Sequence, residues 1–413
     1  MSFKDLKLSK PLLRAVAEAG YDNPTLVQEK TIPLILDKKD VIVSAQTGTG
    51  KTAAFALPIL QSLLDKQDAP KKGKTIKALI VSPTRELAIQ IEDNFKTYCK
   101  HTNLRTTVVF GGASLEPQKD TLKKGVDILI ATPGRLLDLH KQDLVNLDYV
   151  ETLVLDEADL MLDMGFIDDV RKIERLCTKE KQILLFSATI PHKVEQLANS
   201  ILTTPERVEV AQNSSTSKNV AQLLYFVPKK SKIELCLHLL RNTIKGNIII
   251  FRRTKYGVDK LEKTLLNNDY KVDSIHGDKS QTGRQDALNR FKTGEVNILI
   301  ATDVAARGID INDLDAVVNF DLPNVPETYV HRIGRTARAG NTGMAYSLCS
   351  ADERSYLKTI QQLIQIQLDV IEDHPYPLDP KAEPIIHKSK KTGSKHRKGR
   401  KSEASKKKKK RWY

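Results

Sequence analysis

Two tandem doubly wound α/β domains, each built on a parallel sheet, are the fold class this sequence predicts. Short β-rich apolar runs alternate with helical segments, and the alternation happens twice, on either side of a polar break. Polar clusters fall at the C-terminal ends of the runs, where open α/β sheets bind ligands.

The first series of runs is VIVSA (41–45), ALIVSP (78–83), TTVVFGG (106–112), DILIATP (127–133), TLVLDEAD (152–159) and ILLFSAT (183–189). A Ser/Asn-rich stretch, AQNSSTSKNVAQ (211–222), follows and has linker composition. The second series is LLYFVP (223–228), NIIIF (247–251), KVDSIHG (271–277), VNILIATD (296–303), AVVNFD (316–321) and GMAYSLC (343–349). These boundaries predict a first domain over 1–210, a linker over 211–222, a second domain over 223–375 and a tail over 376–413. GVDILIATPGR (125–135) is echoed by GEVNILIATDVAARG (294–308), and the match at equivalent points of both halves predicts an internal duplication.

Composition bounds the class. The 413 residues are 40% hydrophobic and 28% charged, as in soluble globular proteins. No apolar run approaches the ~18 residues of a membrane span, and MSFKDLKLSKPLL lacks a signal-peptide core, so the expected location is the cytoplasm. Cys99, Cys177, Cys236 and Cys349 show no CxxC pairing and are expected to be buried thiols. Residues 381–413 hold 15 Lys or Arg against 2 Glu, a surplus of 13 that leaves +2 of the net +15 for everything before them. That segment has too little apolar content to order itself and is expected to be a disordered, salt-sensitive anchor for an anionic polymer, with Trp412 able to stack on a base. A role in solubility alone is the plainer reading of the same charge run.

Three motifs carry chemistry. In SAQTGTGKT (44–52) a strand passes through a glycine loop into a helix, the arrangement that wraps backbone N–H groups around phosphates. Ala45, Gln46, Thr47, Gly48, Thr49 and Gly50 form the expected loop, Lys51 reaches the outer phosphates and Thr52 offers its hydroxyl to Mg²⁺. DEAD (156–159) leaves a strand end; Asp156 is placed to hold the metal and Glu157 to orient an attacking water. An acidic helix cap is the structural alternative for these carboxylates. SAT (187–189) closes another strand with Ser187 and Thr189, which alone would be ordinary turn formers. In YVHRIGRTARAG (329–340), Arg332, Arg335 and Arg338 are spaced to share one helix face, either a solvated surface or a source of arginine fingers.

With these motifs in this order, the chain resembles the DEAD-box ATP-dependent RNA helicases from Phe3 to Gly340, and its N-terminal wording and basic tail most resemble the bacterial RhlE-type branch. The resemblance implies two RecA-like domains, ATP with Mg²⁺, and RNA as partner, in a monomer that closes around both and separates short duplexes; ribosome assembly or mRNA turnover would suit that branch. It implies that in GYDNPTLVQ (20–28) Gln28 reads the adenine edge, Tyr21 stacks on the base and Phe3 supports the site. Pro83, Thr84, Arg85, Gly111, Gly112, Thr132, Gly134 and Arg135 would form the first domain's RNA track, and Arg284 and Thr302 the second's. Asp303 would lie near the ribose, Arg335 and Arg338 would act on the γ-phosphate, and His331 would couple the lobes to Asp159, Ser187 and Thr189. Two departures stand out: Ala337 where the family has glycine, and the arginine pair of FRRT (251–254). A passive RNA-annealing protein acting through its tail, or a DNA-directed motor of the same superfamily, are the competing readings.

Overall fold

A computed structural model describes residues 1–46, 48–66, 75–210, 220–306, 309, 311, 314–336, 343–379 and 381–383. Thr47, Ala337, Arg338, most of the expected linker and the tail from 384, with Trp412, lie outside the described residues.

The first lobe contains β1 Val41–Ser44, β2 Ala78–Val81, β3 Thr106–Val109, β4 Ile128–Ala131, β5 Thr152–Leu155, β6 Gln182–Ser187 and β7 Glu206–Glu209. The second contains β8 Val220–Phe226, β9 Ile248–Arg252, β10 Val272–Ile275, β11 Ile298–Thr302, β12 Ala316–Asn319, β13 Gly343–Cys349 and β14 Asp369–Val370. All pairings between these strands are parallel. The first sheet is ordered β3-β4-β2-β5-β6-β1-β7 and the second β10-β11-β9-β12-β13-β8-β14. Adding seven to each strand of the first list yields the second, so the lobes share one topology. The repeated ILIAT segments are β4 and β11, second from the edge in both sheets, as the duplication predicted.

Helices cover both faces of each sheet, which is why the strands read as unbroken apolar runs rather than alternating ones. Val41, Val43, Ile80, Ile128, Val154 and Phe186 pack into a core on one face. Ile42, Leu79, Leu129, Leu153 and Leu185, their sequence neighbours, pack on the other. The second lobe repeats the division, with Ile248, Ile250 and Ile300 on one side and Ile249, Leu299 and Val317 on the opposite one. A Phe55–Phe186 edge contact, centroids 5.1 Å apart, joins the helix after the glycine loop to β6.

The structure moves some predicted boundaries. β8 begins at Val220, inside the expected linker, because Val220–Gln222 extend the ladder with Gly343–Ala345. Near the expected tail, Tyr376 packs on the second core and Leu378 N–H donates to Phe226 C=O at 3.0 Å. The edge strand β7 was not expected: in ERVE only Val208 is buried, and the strand exists through its backbone pairing with β1. No helix among the described residues is long and apolar enough to cross a membrane.

All four cysteines are buried and free. Burial pushes the thiols of Cys177, Cys236 and Cys349 up to about 12. Since the thiolate is the reactive form, a disulfide-exchange reagent at pH 8 is expected to label these three slowly in the native protein and at once after denaturation. Rapid native labelling of the three would show the lobes to be looser than described.

Candidate active site

Apart from GYDNPTLVQ (20–28), which precedes β1, the predicted motifs of the first lobe follow the C-terminal ends of its strands, and that edge divides into two halves. The loops after β1, β5 and β6, which are adjacent in the sheet, carry the glycine loop, DEAD and SAT. The ends of β3, β4 and β2, also adjacent, carry the segments around Gly111 and Gly112, Thr132 and Arg135, and Pro83 to Arg85.

In the glycine loop Gly48 and Gly50 have φ of 80° and 90°, a region that side chains disfavour. Thr49 Oγ donates to Gln46 C=O at 2.7 Å, and Ala45 N–H ties the loop to β6 by donating to Ser187 C=O at 3.0 Å. Gln28 lines the cleft and its amide already works on the backbone: Oε1 accepts from Thr25 N–H at 2.9 Å and Nε2 donates to Gly50 C=O at 3.2 Å.

Beyond the loop, the helix Lys51–Leu64 starts with a buried ammonium: Lys51 Nζ is 2.8 Å from Glu157 Oε1, with the two side chains 7% and 12% exposed. Burial opposes the charge of Lys51, but Glu157 and Asp156 outweigh it and hold the lysine above its ordinary pKa. Burial, reinforced by Glu157, lifts Asp156 to about 7 despite the nearby ammonium. Its Oδ1 is buried and has no hydrogen-bond partner among the described residues. Such an orphaned acceptor fits a cation ligand, and Thr52 lines the same cleft.

Glu157 sits at φ 54°, ψ 56°, a left-handed conformation costly for a residue with a Cβ. It precedes the helix Ala158–Asp163 but its side chain makes no cap bond, so the helix-cap alternative does not describe it. Asp159 binds SAT directly: Oδ2 accepts from both the N–H and the hydroxyl of Thr189 at 2.9 Å, and Asp159 N–H donates to Ser187 Oγ at 3.1 Å.

These groups line one cavity of about 610 Å³, and the second lobe closes it with Val325, Glu327, Thr328, His331 and Arg335. The arginine row is built differently from the expectation. The helix Pro326–Ile333 ends at Gly334, so Arg335 lies in the following turn, where Nη1 donates to Ile309 C=O at 2.6 Å. Arg332 is 2% exposed and turned inward, gripping Asp303 with Nε and Nη2 at 2.6 and 2.7 Å. The spacing of three therefore marks different environments rather than one face. Asp303, expected at the ribose, has both oxygens on Arg332 and does not line the cleft. Phe3 is buried in the core instead of on the cavity wall, whereas Tyr21 lines it, 40% exposed, with its ring centroid 6.2 Å from that of Tyr98.

Tyr98, Asn94, Gln90 and Leu87 also line the cavity and were missed. Their spacing of three and four along the helix Arg85–Tyr98 puts them on one face, a signal that was available in the sequence.

On the other half of the edge, Thr84 caps that helix by accepting from Leu87 N–H at 3.3 Å. Arg85 lies so close to Gly112, φ 73°, that a Cβ there would come within 2.2 Å of its guanidinium. Gly111 and Gly134 face open space. Thr132 starts the helix Pro133–Lys141, and Arg135 Nη2 donates to Ala113 C=O at 3.1 Å while its Nη1 is buried without a hydrogen-bond partner among the described residues. Thr302 ends β11, the counterpart of β4. Arg284 bridges the lobes: Nη2 is 3.1 Å from Glu86 Oε1, with both side chains nearly buried. The contact is not aligned as a hydrogen bond, so Glu86 Oε1 and Arg284 Nε have no such partner among the described residues. Burial lowers the pKa of Arg284, partly offset by Glu86.

Replacing Gly50 by alanine would place a Cβ 2.3 Å from Gln28 Nε2 at a positive φ. Gly50→Ala is expected to cost roughly 1–2 kcal/mol for the backbone conformation alone, read as a lowered melting temperature, and to weaken nucleotide binding by displacing Gln28. Unchanged stability and affinity would show that the loop has slack.

Residues 25–197 match the DEAD/DEAH box helicase family model and residues 231–340 the helicase conserved C-terminal domain. The DEAD-box ATP-dependent RNA helicase RhpA of Helicobacter pylori is 43% identical over 371 residues, 90% of this chain and 74% of that protein. Among solved structures, S. cerevisiae Dbp5 bound to RNA and ADP BeF3 is 31% identical with a TM-score of 0.78, covering 90% of this chain and 95% of that one. Mss116p bound to ssRNA and AMP-PNP is 30% identical with a TM-score of 0.81, covering 91% of this chain and 80% of that one. Both matches take in both lobes of the chain. By sequence shared across both lobes, a common two-lobe architecture and the motif order, the chain belongs to the DEAD/DEAH box helicase family.

Proposed function

We propose that the chain is an ATP-dependent RNA helicase that closes its two lobes on ATP and RNA at once and separates short duplexes locally. The observation that carries this is the shared cavity: Lys51 and Glu157 come from one lobe, His331 and Arg335 from the other. A site completed only by closure couples hydrolysis to whatever else favours the closed form. The line of Arg85, Thr132, Arg135, Arg284 and Thr302 along the other half of both edges supports RNA phosphate as that second ligand. Pro83, Thr84, Gly111, Gly112 and Gly134 bring backbone close to the same track.

Lys51 is the phosphate-binding cation of this reading. An incoming phosphate competes with Glu157 for its ammonium and frees that carboxylate to orient the attacking water and accept its proton. Asp156 and Thr52 would hold Mg²⁺, which when bound offsets phosphate charge. Gln28 and Tyr21 face the position of the base, beside Tyr98. Arg335 stabilises the charge that develops on the γ-phosphate, and Arg338 is assigned the same role on its motif position. Asp159, Ser187, Thr189 and His331 relay closure between the lobes. Within the family we assign the RhlE-type branch from MSFKDLKLSKPLLRAVAEAGYDNPT and the basic tail, acting as a cytoplasmic monomer whose tail adds salt-sensitive RNA affinity.

Two measurements test this. RNA should raise the ATPase rate, and by linkage a non-hydrolysable ATP analogue and RNA should each tighten the other by the same factor, about 5- to 150-fold. Turnover indifferent to RNA would defeat the clamp. Glu157→Gln should keep ATP binding and lower turnover about 10²- to 10⁴-fold, while Arg335→Ala should lose ~10³-fold or more with little change in nucleotide affinity. Full turnover in either variant would remove that residue from its role.

A further inference from the structure

The arginine pair of FRRT, a departure from the family pattern, has no part in the cleft: neither Arg252 nor Arg253 lines it. The structure puts both to work on the dipeptide Asp321–Leu322, between β12 and the helix Pro326–Ile333. The lobe binds each backbone polar group of that dipeptide, two of the four through Phe251 and Arg253 of the FRRT segment itself. Asp321 N–H donates to Phe251 C=O at 3.3 Å, and Asp321 C=O accepts from Arg332 Nη1 at 2.7 Å. Leu322 N–H donates to Glu353 Oε1 at 3.1 Å, and Leu322 C=O accepts from Arg253 Nη2 at 2.8 Å. Arg253 Nη2 also reaches Glu353 Oε1 at 3.1 Å, and its N–H donates to Asp321 Oδ2 at 3.0 Å.

The ion network around this knot is nearly dry at Lys232 and Glu353, with Arg253 at its exposed rim. Lys232, 2% exposed, lies 2.5 Å from Glu353 Oε2 and donates to Phe320 C=O at 2.7 Å. Arg252 Nε is 3.0 Å from Asp321 Oδ2, with its guanidinium 4.0 Å over the Phe320 ring. Glu353, 3% exposed, further accepts from Ser350 N–H and Oγ. Desolvation makes buried ion networks poor sources of net stability, while their directional bonds define one geometry well. The geometry defined here is the entry to a helix that faces the cleft. Val325, which lines the cavity, is three residues past Leu322, and Pro326, with its restricted φ, begins the helix that brings Thr328 and His331 to the same wall.

We propose that Arg253 and Glu353 are positioning residues for ATP hydrolysis: by holding Asp321–Leu322 they set where the helix Pro326–Ile333 and the turn of Arg335 meet the nucleotide. This rests on the reading that the cleft hydrolyses ATP. Lys51 and Gln28 sit in the other lobe, so loosening the knot leaves nucleotide capture intact and misplaces only the groups that complete the site.

The test is steady-state, RNA-stimulated ATPase of the full chain with wild type, Arg253→Met and Arg253→Lys, alongside thermal unfolding. An ångström-scale displacement at a reacting centre costs up to ~10²-fold, so Arg253→Met is expected to lower kcat roughly 10- to 100-fold with KM for ATP within about twofold, and Arg253→Lys to recover most of the loss. If Arg253→Met does not fold, Glu353→Gln, which keeps the shape and one acceptor oxygen, is measured in its place with the same expectation. Wild-type kcat in the folded variant, or a loss accounted for by the unfolded fraction or by a parallel rise in KM, would overturn the proposal. Wild-type protein without RNA-stimulated turnover would instead overturn the functional reading beneath it.

Discussion

A buried ammonium held between two carboxylates is the interaction on which the rest of this structure turns. Lys51, Glu157 and Asp156 occupy a nearly dry corner where β1 and β5 end, and a cluster of that kind is stable only if its charges balance. One lysine stands against two acids here; burial first, and then the neighbouring Glu157, raises the pKa of Asp156, whose Oδ1 has no hydrogen-bond partner among the described residues. In the proposed function, a metal-bound nucleotide would bring a cation to Asp156 and a phosphate to Lys51.

The second lobe turns this corner into a switch. It brings no competing glycine loop; it supplies the missing wall through a helix and turn placed after β12, the strand equivalent to β5. DEAD follows β5 in one lobe and the His331–Arg335 segment follows β12 in the other, corresponding strands of a common topology. The halves of the two C-terminal edges that carry Lys51 and Arg335 meet across the cavity, and the other halves meet across the Arg284–Glu86 contact. Under the proposed function, two ligands that both favour closure of the same edge would each tighten the other's binding.

Arginine has three distinct uses in the second lobe. Arg332 is consumed by Asp303, Asn319 and a backbone carbonyl; Arg253 and Arg252 brace the approach to the cleft helix; Arg335 lines the cavity itself. The planar guanidinium suits the bracing roles because it binds several acceptors at once without being deprotonated. Charge counting alone would have grouped these residues together.

Fold class, the two lobes and the location of chemistry at strand ends were legible in the sequence, because apolar runs and glycine loops are local patterns imposed by backbone geometry; the order of strands in each sheet was not, because it is fixed by pairing between distant segments. The glycine loop, DEAD and SAT were legible for the same reason. Tyr98 and Asn94 were legible only as a helix face, since nothing local marks a face as lining a cavity. Sequence could not assign Arg332 inward and Arg335 to the cleft, because that depends on where Gly334 ends a helix and where the Asp303 carboxylate waits, residues brought together from different strands. Nor could it pair Arg253 with Glu353, 100 residues away. What the residues determine by themselves is which groups stand at the edge of each sheet; which of them face the nucleotide, which face RNA and which face one another is decided by packing, because distance through space is settled only when both lobes are folded and set edge to edge.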